Sequence, residues 1–275
     1  MPEGPETKRM SDSISKSLVG KDIISHTFIH EQLLDLNMMK DISVINAISR
    51  GKAIIIRINN GLSIISHNQL YGKWTFNRPK TSIKTNRQLR IEFTTKTKAV
   101  RLWSATDISL YRTDQELEHP YLRRIGPDVL DDVTNDLLIF DRLIDKRFCN
   151  RKLSGTLLDQ SFISGLGNYL RSEILFFSGL NHLQKPSRLS DSQLKKLSKE
   201  IKNVSLRAYI KKGRTIDSVS IEKLFGNINN FKKIRHMVFG RDGQPCFLCG
   251  QTIVKVFASS RRIYFCPDCQ KCEIE

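Results

Sequence analysis

The sequence predicts a multidomain α+β protein. An amino-terminal helix and an antiparallel β-sandwich or flattened barrel come first, then a helical region, then a four-cysteine zinc ribbon. Three observations carry this reading. Residues 22–111 hold many short apolar segments with period-two alternation, the mark of strands. From about residue 134 the apolar period becomes helical. Five of the six cysteines lie between residues 246 and 272. That clustering argues for one local metal site rather than a disulfide framework.

Residues 5–19 read as the first helix. Pro5 suits a first turn, Met10, Ile14 and Leu18 recur at four-residue spacing, and Gly20 marks a stop. Strand segments follow at 22–29, 42–49, 53–58, 62–66, 73–76, 87–94, 98–103 and 107–111. Leu89, Ile91 and Phe93 alternate with Arg90, Glu92 and Thr94, as a half-buried antiparallel strand requires. Asn59-Asn60-Gly61 is a turn signal between two strands. Gly126-Pro127 breaks the pattern and is the linker candidate.

In the helical region Leu137, Phe140 and Ile144 form one predicted face. Phe162 and Ile163 read as a short helix before Gly165, and Leu170, Ile174 and Phe177 as the stripe of the next helix. Ser190-x-x-Gln193 resembles a capping box. It precedes a stripe of Leu194, Leu197, Ile201, Val204 and Ala208, with Lys195, Lys196, Lys199 and Lys202 on the other faces. The expected division is 1–127, 128–213, a connecting segment 214–240, and 241–275.

Cys246-x2-Cys249 and Cys266-x2-Cys269 each supply two thiolates from one tight turn, and two such pairs complete a tetrahedral zinc site. An iron–sulfur centre is the minor alternative. A closed four-cysteine site leaves no open coordination position, so the zinc is expected to be structural. Cys272 reads as spare, and Cys149 as an ordinary semi-buried thiol. Between the pairs the sequence suggests a hairpin, with Ala258-Ser259-Ser260-Arg261-Arg262 at its turn.

The 275 residues carry 45 Lys and Arg against 28 Asp and Glu, a formal net charge of +17. Such a balance points to a polyanionic partner, nucleic acid foremost. Residues 231–265 hold seven Lys or Arg and one Asp, so the zinc hairpin reads as a phosphate or groove contact. The competing reading is a zinc staple with a solubilising surface. No apolar run approaches the roughly 18 residues of a spanning helix, and no signal-peptide core is present. A soluble cytoplasmic protein, a monomer with no membrane partner, is expected.

Met1-Pro2-Glu3 is the most unusual short feature. With Met1 removed, Pro2 presents a secondary amine beside a carboxylate. An α-amine titrates near ~7.7–8, so a useful fraction is neutral and nucleophilic. The neighbouring Glu3 can move protons. The bland alternative is a start that merely opens the first helix.

Several separated motifs occur together. They are Met1-Pro-Glu-Gly-Pro-Glu6, Arg50-Gly-Lys52, Ser66-His-Asn-Gln-Leu-Tyr-Gly72, Arg124-Ile-Gly-Pro-Asp128, Leu158-Asp-Gln160, Gly165-Leu-Gly-Asn-Tyr-Leu-Arg171-Ser-Glu173 and the terminal four-cysteine ribbon. In this order they resemble the formamidopyrimidine-DNA glycosylase/endonuclease VIII family over essentially the whole chain. The resemblance implies an amino-terminal β-sandwich and a helix–two-turns–helix domain with a zinc finger, acting on double-stranded DNA that carries damaged bases or abasic sites. It implies that Pro2 attacks C1′ of a damaged nucleotide and that Glu3 is the acid–base residue. The iminium formed on Pro2 then drives β,δ-elimination.

By the same resemblance Lys52 contacts phosphate near the lesion and assists catalysis. Asn168 and Arg261 hold the flanking phosphates, while Glu6, Arg171 and Arg262 count with the DNA-binding set. Asn168 also fits an N-cap. Gln69, Leu70 and Tyr71 fill the hole left by the flipped nucleotide. Gln-Leu-Tyr, together with Asn168-Tyr-Leu-Arg171, favours the endonuclease VIII branch and hence oxidised pyrimidines. An oxidised-purine glycosylase and a non-catalytic DNA-binding zinc protein are the alternatives. Segments 26–40 and 214–232 show little resemblance, and Arg262 stands where endonuclease VIII often has Pro.

Overall fold

A computed structural model of the chain describes residues 2–216 and 234–271. Met1, Cys272 and most of the connecting segment, with its suggested lesion loop, therefore lie outside the described residues. The chain divides into two compact units. One is built on residues 6–124 with Pro2, the other on residues from 125 onward with Glu3–Pro5.

The first unit contains most of helix α1 (Gly4–Leu18) and eight strands: β1 Ile23–Phe28, β2 Val44–Arg50, β3 Ala53–Ile58, β4 Leu62–His67, β5 Lys73–Asn77, β6 Leu89–Thr95, β7 Ala99–Trp103 and β8 Asp107–Arg112. All pairings are antiparallel, in two four-stranded sheets ordered β1-β6-β7-β5 and β2-β3-β4-β8. The sandwich reading holds. Ile54, Ile56 and Ile58 from one sheet share a core with Ile91, Phe93, Val100 and Leu102 from the other, and Ile14 and Leu18 of α1 join it. Each such fully buried side chain contributes about 1.5–3 kcal/mol. Asn59-Asn60-Gly61 is the three-residue turn joining β3 and β4, with Asn60 and Gly61 in left-handed backbone at φ 64° and 67°. Within 26–40 a 3-10 helix, Glu31–Met38, buries Leu33 and Leu36 in the same core. The Asn37 side chain brackets the backbone N–H and carbonyl of Phe28 at 2.9 and 2.8 Å. Low resemblance there coexists with a full share in the packing.

The second unit holds α2 (Asp136–Ile144), α3 (Leu153–Thr156), α4 (Asn168–Ser178), α5 (Asp191–Ile210), β9 (Val254–Ala258) and β10 (Arg261–Phe265). The capping box of α5 forms in both directions: Gln193 N donates to Ser190 Oγ and Ser190 N to Gln193 Oε1. Its predicted stripe is buried, with Leu197, Ile201, Val204 and Ala208 at 0 % exposure.

Three expectations for this unit need correction. On α2 the buried pair is Ile139 and Leu143, while Leu137 and Ile144 are 68 % and 51 % exposed. Residues 137–140 are apolar on every face, so periodicity alone cannot choose the inward one; packing against α5 does. Phe162 and Ile163 lie in turns rather than a helix, although both are core residues. The hairpin turn is the two residues Ser259-Ser260, shorter than expected, because Ala258 and Arg261 pair across it.

Candidate active site

Helix α4 sits where a polar cluster is built. Its N-cap is Gly167, which has no side chain to cap with. The cap comes from far away in sequence: Glu3 accepts hydrogen bonds from Tyr169 N at 2.8 Å and Leu170 N at 3.2 Å. Asn168 is therefore not the cap, contrary to its sequence reading. The carboxylate is 4 % exposed and lies at the positive end of the α4 dipole, where a negative charge is favoured. Gly167 is needed for space: a Cβ there would fall 2.3 Å from Glu3 Cδ and 2.5 Å from Oε1.

The segment leading into α4 is held by Gln160. Its amide donates to Leu158 O and Leu166 O and accepts from Gly165 N, at 3.0, 2.9 and 3.1 Å. Gly165, at φ +93°, in turn accepts Gly4 N at 2.8 Å. Half-buried Pro2 is one peptide bond from the anchored Glu3.

Arg171, one turn into α4, is 0 % exposed. Its guanidinium donates to Ser154 O, Asn168 Oδ1, Ala258 O and Arg262 O at 2.8–3.2 Å. Burial pushes its pKa down to about 10, with Glu3 opposing that shift and Arg261 reinforcing it. The carbonyls of Ala258 and Arg262 flank the hairpin turn, where Ser259 and Ser260 both adopt left-handed backbone, at φ 54° and 59°. Such conformations cost about 1–2 kcal/mol each without glycine. The buried guanidinium thus clamps a turn that lacks the usual Asn-Gly. Arg261 and Arg262 remain exposed beyond it. So the structure brings Glu3, Asn168 and the Ser259-Ser260 turn around Arg171, and Arg171 itself faces carbonyls rather than solvent.

The first unit carries a second cluster. Lys52 follows Gly51 (φ 60°) in the β2–β3 turn and is 7 % exposed, more buried than a strand-edge lysine should be. Its backbone N–H donates to the Tyr121 hydroxyl at 2.8 Å, and the Tyr121 ring lies 5.4 Å from that of His67. Burial first, and then the charges of Lys52 and His119, lower the His67 pKa against the opposing pull of Asp107. Gln69, at φ 45°, donates its backbone N–H to His67 Nδ1 and its side-chain amide to Asp107 Oδ2. Leu70 and Tyr71 project at 69 % and 67 % exposure. Their loop is closed by Gly72 N donating to Asn68 O at 2.7 Å, so tightly that a Cβ on Gly72 would meet that oxygen at 2.7 Å. Glu6, on α1, pairs with Arg9 at 3.0 Å.

The four cysteines Cys246, Cys249, Cys266 and Cys269 have Sγ atoms all within 4.8 Å of one another. Zinc–sulfur bonds of about 2.3 Å in a tetrahedron require sulfurs about 3.8 Å apart. The observed 3.9, 3.4 and 3.5 Å separations fit that ion. Leu248 N and Cys269 N donate to the Sγ atoms of Cys246 and Cys266, as metal knuckles require. Phe176, Met237, Val238, Ile253 and Tyr264 pack around the cluster.

Sequence reasoning missed Glu173 as an organiser. Fully buried on α4, it accepts from Met237 N, Val238 N and Phe239 N at 2.8–2.9 Å and from Thr215 Oγ1 at 2.5 Å. The available signal was Arg171-Ser-Glu173, three polar residues inside an otherwise apolar helix. Gln160, inside a quoted motif, was likewise given no role.

Comparison with known proteins follows the same lines. The chain matches the formamidopyrimidine-DNA glycosylase N-terminal domain over residues 1–106 and the formamidopyrimidine-DNA glycosylase H2TH domain over residues 125–220. Endonuclease 8 of Salmonella paratyphi B is 40 % identical over 272 residues, covering 98 % of this chain and 100 % of that protein. Endonuclease 8 of Escherichia coli is 40 % identical over 271 residues with the same coverage. A Lactococcus lactis formamidopyrimidine-DNA glycosylase, solved non-covalently bound to DNA with an abasic site, shares the fold. Its TM-score is 0.78 at 22 % identity, covering 98 % of this chain and 100 % of that one.

Proposed function

Because the chain belongs to the formamidopyrimidine-DNA glycosylase/endonuclease VIII family, we propose that it removes oxidised pyrimidines from DNA through a Schiff base on Pro2. The chain is a bifunctional DNA glycosylase and abasic-site lyase of that family. The observation that carries the residue assignment is the Glu3 carboxylate, anchored by two α4 amides and bonded through one peptide link to Pro2.

In this reading Met1 is removed and the Pro2 amine, in its neutral form, attacks C1′ of an extruded nucleotide. The C1′–N bond breaks and the base leaves with a proton. Glu3 helps open the sugar ring by passing a proton to its oxygen. The secondary amine gives a cationic iminium that cannot be neutralised by losing an N–H proton. That cation acidifies C2′–H, so the 3′ phosphate leaves by β-elimination and the 5′ phosphate by δ-elimination. Water then releases Pro2.

Lys52 is assigned to phosphate near the lesion, and Asn168 with Arg261 to the flanking phosphates; Arg262 and Glu6 join the DNA-binding set. Arg171 is assigned to positioning: its two terminal guanidinium nitrogens are engaged with carbonyls and Asn168, so it acts on DNA through the hairpin turn it holds. Gln69, Leu70 and Tyr71 are assigned as the wedge that replaces the extruded base, and the exposure of the last two supports this. Zinc is structural, since four thiolates leave it no open position.

We keep 1–127, 128–213, 214–240 and 241–275 as the functional layout. Among the described residues no helix is long and apolar enough to cross a membrane. The place of action we assign is nucleoid DNA in a bacterial cytoplasm, with the chain working as a monomer.

The test is borohydride trapping on a panel of single-lesion duplexes. Thymine glycol and dihydrouracil duplexes should give a covalent complex through Pro2. Trapping that survives replacement or blocking of Pro2 would refute the mechanism. A strong preference for 8-oxoguanine opposite cytosine would refute the pyrimidine assignment.

A further inference from the structure

The hairpin β9–β10 carries a large aromatic on its outer face that the reaction does not use. Val256, Ala258 and Ile263 pack inward on the helical core, which turns Phe257 outward at 72 % exposure. Its cross-strand partner is Arg262, whose guanidinium carbon lies 6.0 Å from the Phe257 ring centroid. Such a pair leaves an apolar face flanked by positive charge.

Phe257 also forms one wall of a groove of about 470 Å³. That size is within the roughly 300–1,000 Å³ range of small-ligand sites. Arg151, Lys152, Gly155, His182 and Ser259 are among the residues that line the rest. Arg151 is paired with Asp159 at 2.7 Å, whereas Lys152 is exposed and has no ion pair among the described residues. Gly155 keeps the floor low, since a Cβ there would meet Ser259 Oγ at 3.3 Å. His182 is 6 % exposed and stacks 5.0 Å from Phe265, and its Nδ1 has no partner among the described residues. Burial, and then the charges of Arg171 and Lys152, lower its pKa, which keeps the ring neutral near pH 7. A buried ring nitrogen without a partner costs free energy, which a hydrogen-bonding ligand group would recover.

We propose that this groove is a subsite for one unpaired nucleotide of the bound DNA, with the base stacked on Phe257 and its phosphate held by Lys152. An aromatic platform beside cationic side chains is the usual construction of single-strand binding surfaces. The base must be unpaired because a base inside a duplex already has both faces stacked. Continuity with exposed Arg261 and Arg262 identifies the strand as that of the DNA already bound. The inference therefore rests on the proposed action on DNA. It predicts a preference for lesions next to single-stranded gaps, overhangs or bubbles.

The test uses the full zinc-loaded chain and equilibrium anisotropy with two DNAs carrying the same reduced abasic site. One is a blunt duplex, the other is single-stranded beside the site, on either flank in turn. Wild type should bind a single-strand-flanked DNA more tightly. Phe257→Ala should lose about tenfold on that DNA and leave blunt-duplex binding near wild type, while Phe257→Trp retains the preference. Lys152→Ala should lower the slope of log K against log salt by about 0.7 on the same DNA. Zinc content and melting temperature check that the variants fold. Equal loss on both DNAs, no loss on either, or a wild type without the preference overturns the subsite. Borohydride trapping on the blunt lesion duplex separates the two failures. If trapping is intact and Phe257 is without effect, only the subsite falls; if wild type neither binds nor traps DNA, the proposed function falls and takes the subsite with it.

Discussion

Replacing Gly167 by alanine tests the Glu3 anchor directly. The new Cβ would stand 2.3 Å from Glu3 Cδ, 2.5 Å from Oε1 and 2.6 Å from Cγ. Carbon atoms rest at about 3.5–4.0 Å, so the carboxyl carbon must retreat by more than about 1 Å. The colliding atoms are the end of a flexible side chain, so Glu3 moves and α4 does not. Gly167 has φ −145°, which alanine adopts without strain, so the backbone adds no penalty of its own.

The retreat breaks the bonds from Tyr169 N and Leu170 N. Hydrogen bonds to a charged group contribute about 1.5–3 kcal/mol, part of which water at the freed amides returns. A loss of about 1–2 kcal/mol corresponds to a fall in melting temperature of a few degrees. Misplacing a reacting group by about 1 Å costs on the order of 100-fold in rate. Single-turnover excision on a thymine glycol duplex should therefore slow by about 100-fold, with DNA binding retained. Glu3→Gln, which keeps the shape and one of the two cap acceptors, should lose the proton transfer with a smaller change in stability. Excision by Gly167→Ala close to the wild-type rate would refute the claim that this anchor positions Glu3.

Four other outcomes are expected. Glu173→Gln removes the charge from a buried site that receives three backbone N–H groups and a hydroxyl, and turns an amide toward them. It should destabilise the second unit by about 3 kcal/mol or more, read by chemical denaturation and by faster zinc release to a chelator. Leu70→Ala with Tyr71→Ala should weaken lesion-duplex binding and leave the melting temperature unchanged, because both side chains are mostly exposed; a clear loss of stability would count against the wedge assignment. Removal of zinc should release the Cys246, Cys249, Cys266 and Cys269 cluster, loosen the packing of Met237 and Val238 on it, and abolish nicking, with recovery on adding zinc but not magnesium. His67, His119 and His182 all have pKa values lowered chiefly by burial. The unfolded chain therefore binds more protons once pH falls below about 6.5, so stability is fullest above that value and declines as pH drops toward about 5. A denaturation midpoint that stays flat across that window would contradict the shifts.

The strand pattern was legible because each sandwich strand buries one face, and that constraint writes a period of two into the residues. Predicted and observed strand ends differ by at most two residues. The zinc centre was legible because Cys-x2-Cys puts two thiolates in one turn, a local requirement met by neighbours in sequence. The capping box at Ser190 and the turn at Asn60-Gly61 belong to the same class of short-range chemistry. Where several faces were apolar, as on α2, periodicity had nothing to choose between, and Ile139 and Leu143 were passed over for Leu137 and Ile144.

What the sequence determined by itself, then, is everything dictated by local periodicity and spacing: the strands, the α5 stripe, the four-cysteine cluster and the odd Pro2-Glu3 start. Tertiary structure alone decided what Glu3 does for α4, a partnership spanning 166 residues, and why Gly167 must lack a side chain. It also decided that Arg171 is a clamp on a left-handed Ser-Ser turn rather than a surface cation, and that Glu173 gathers the three successive amides of Met237–Phe239. Hydrogen-bond donors and acceptors left over by a helix end or a tight turn carry no mark in sequence of who will satisfy them, because the partner is chosen by which segments meet once the apolar faces have packed.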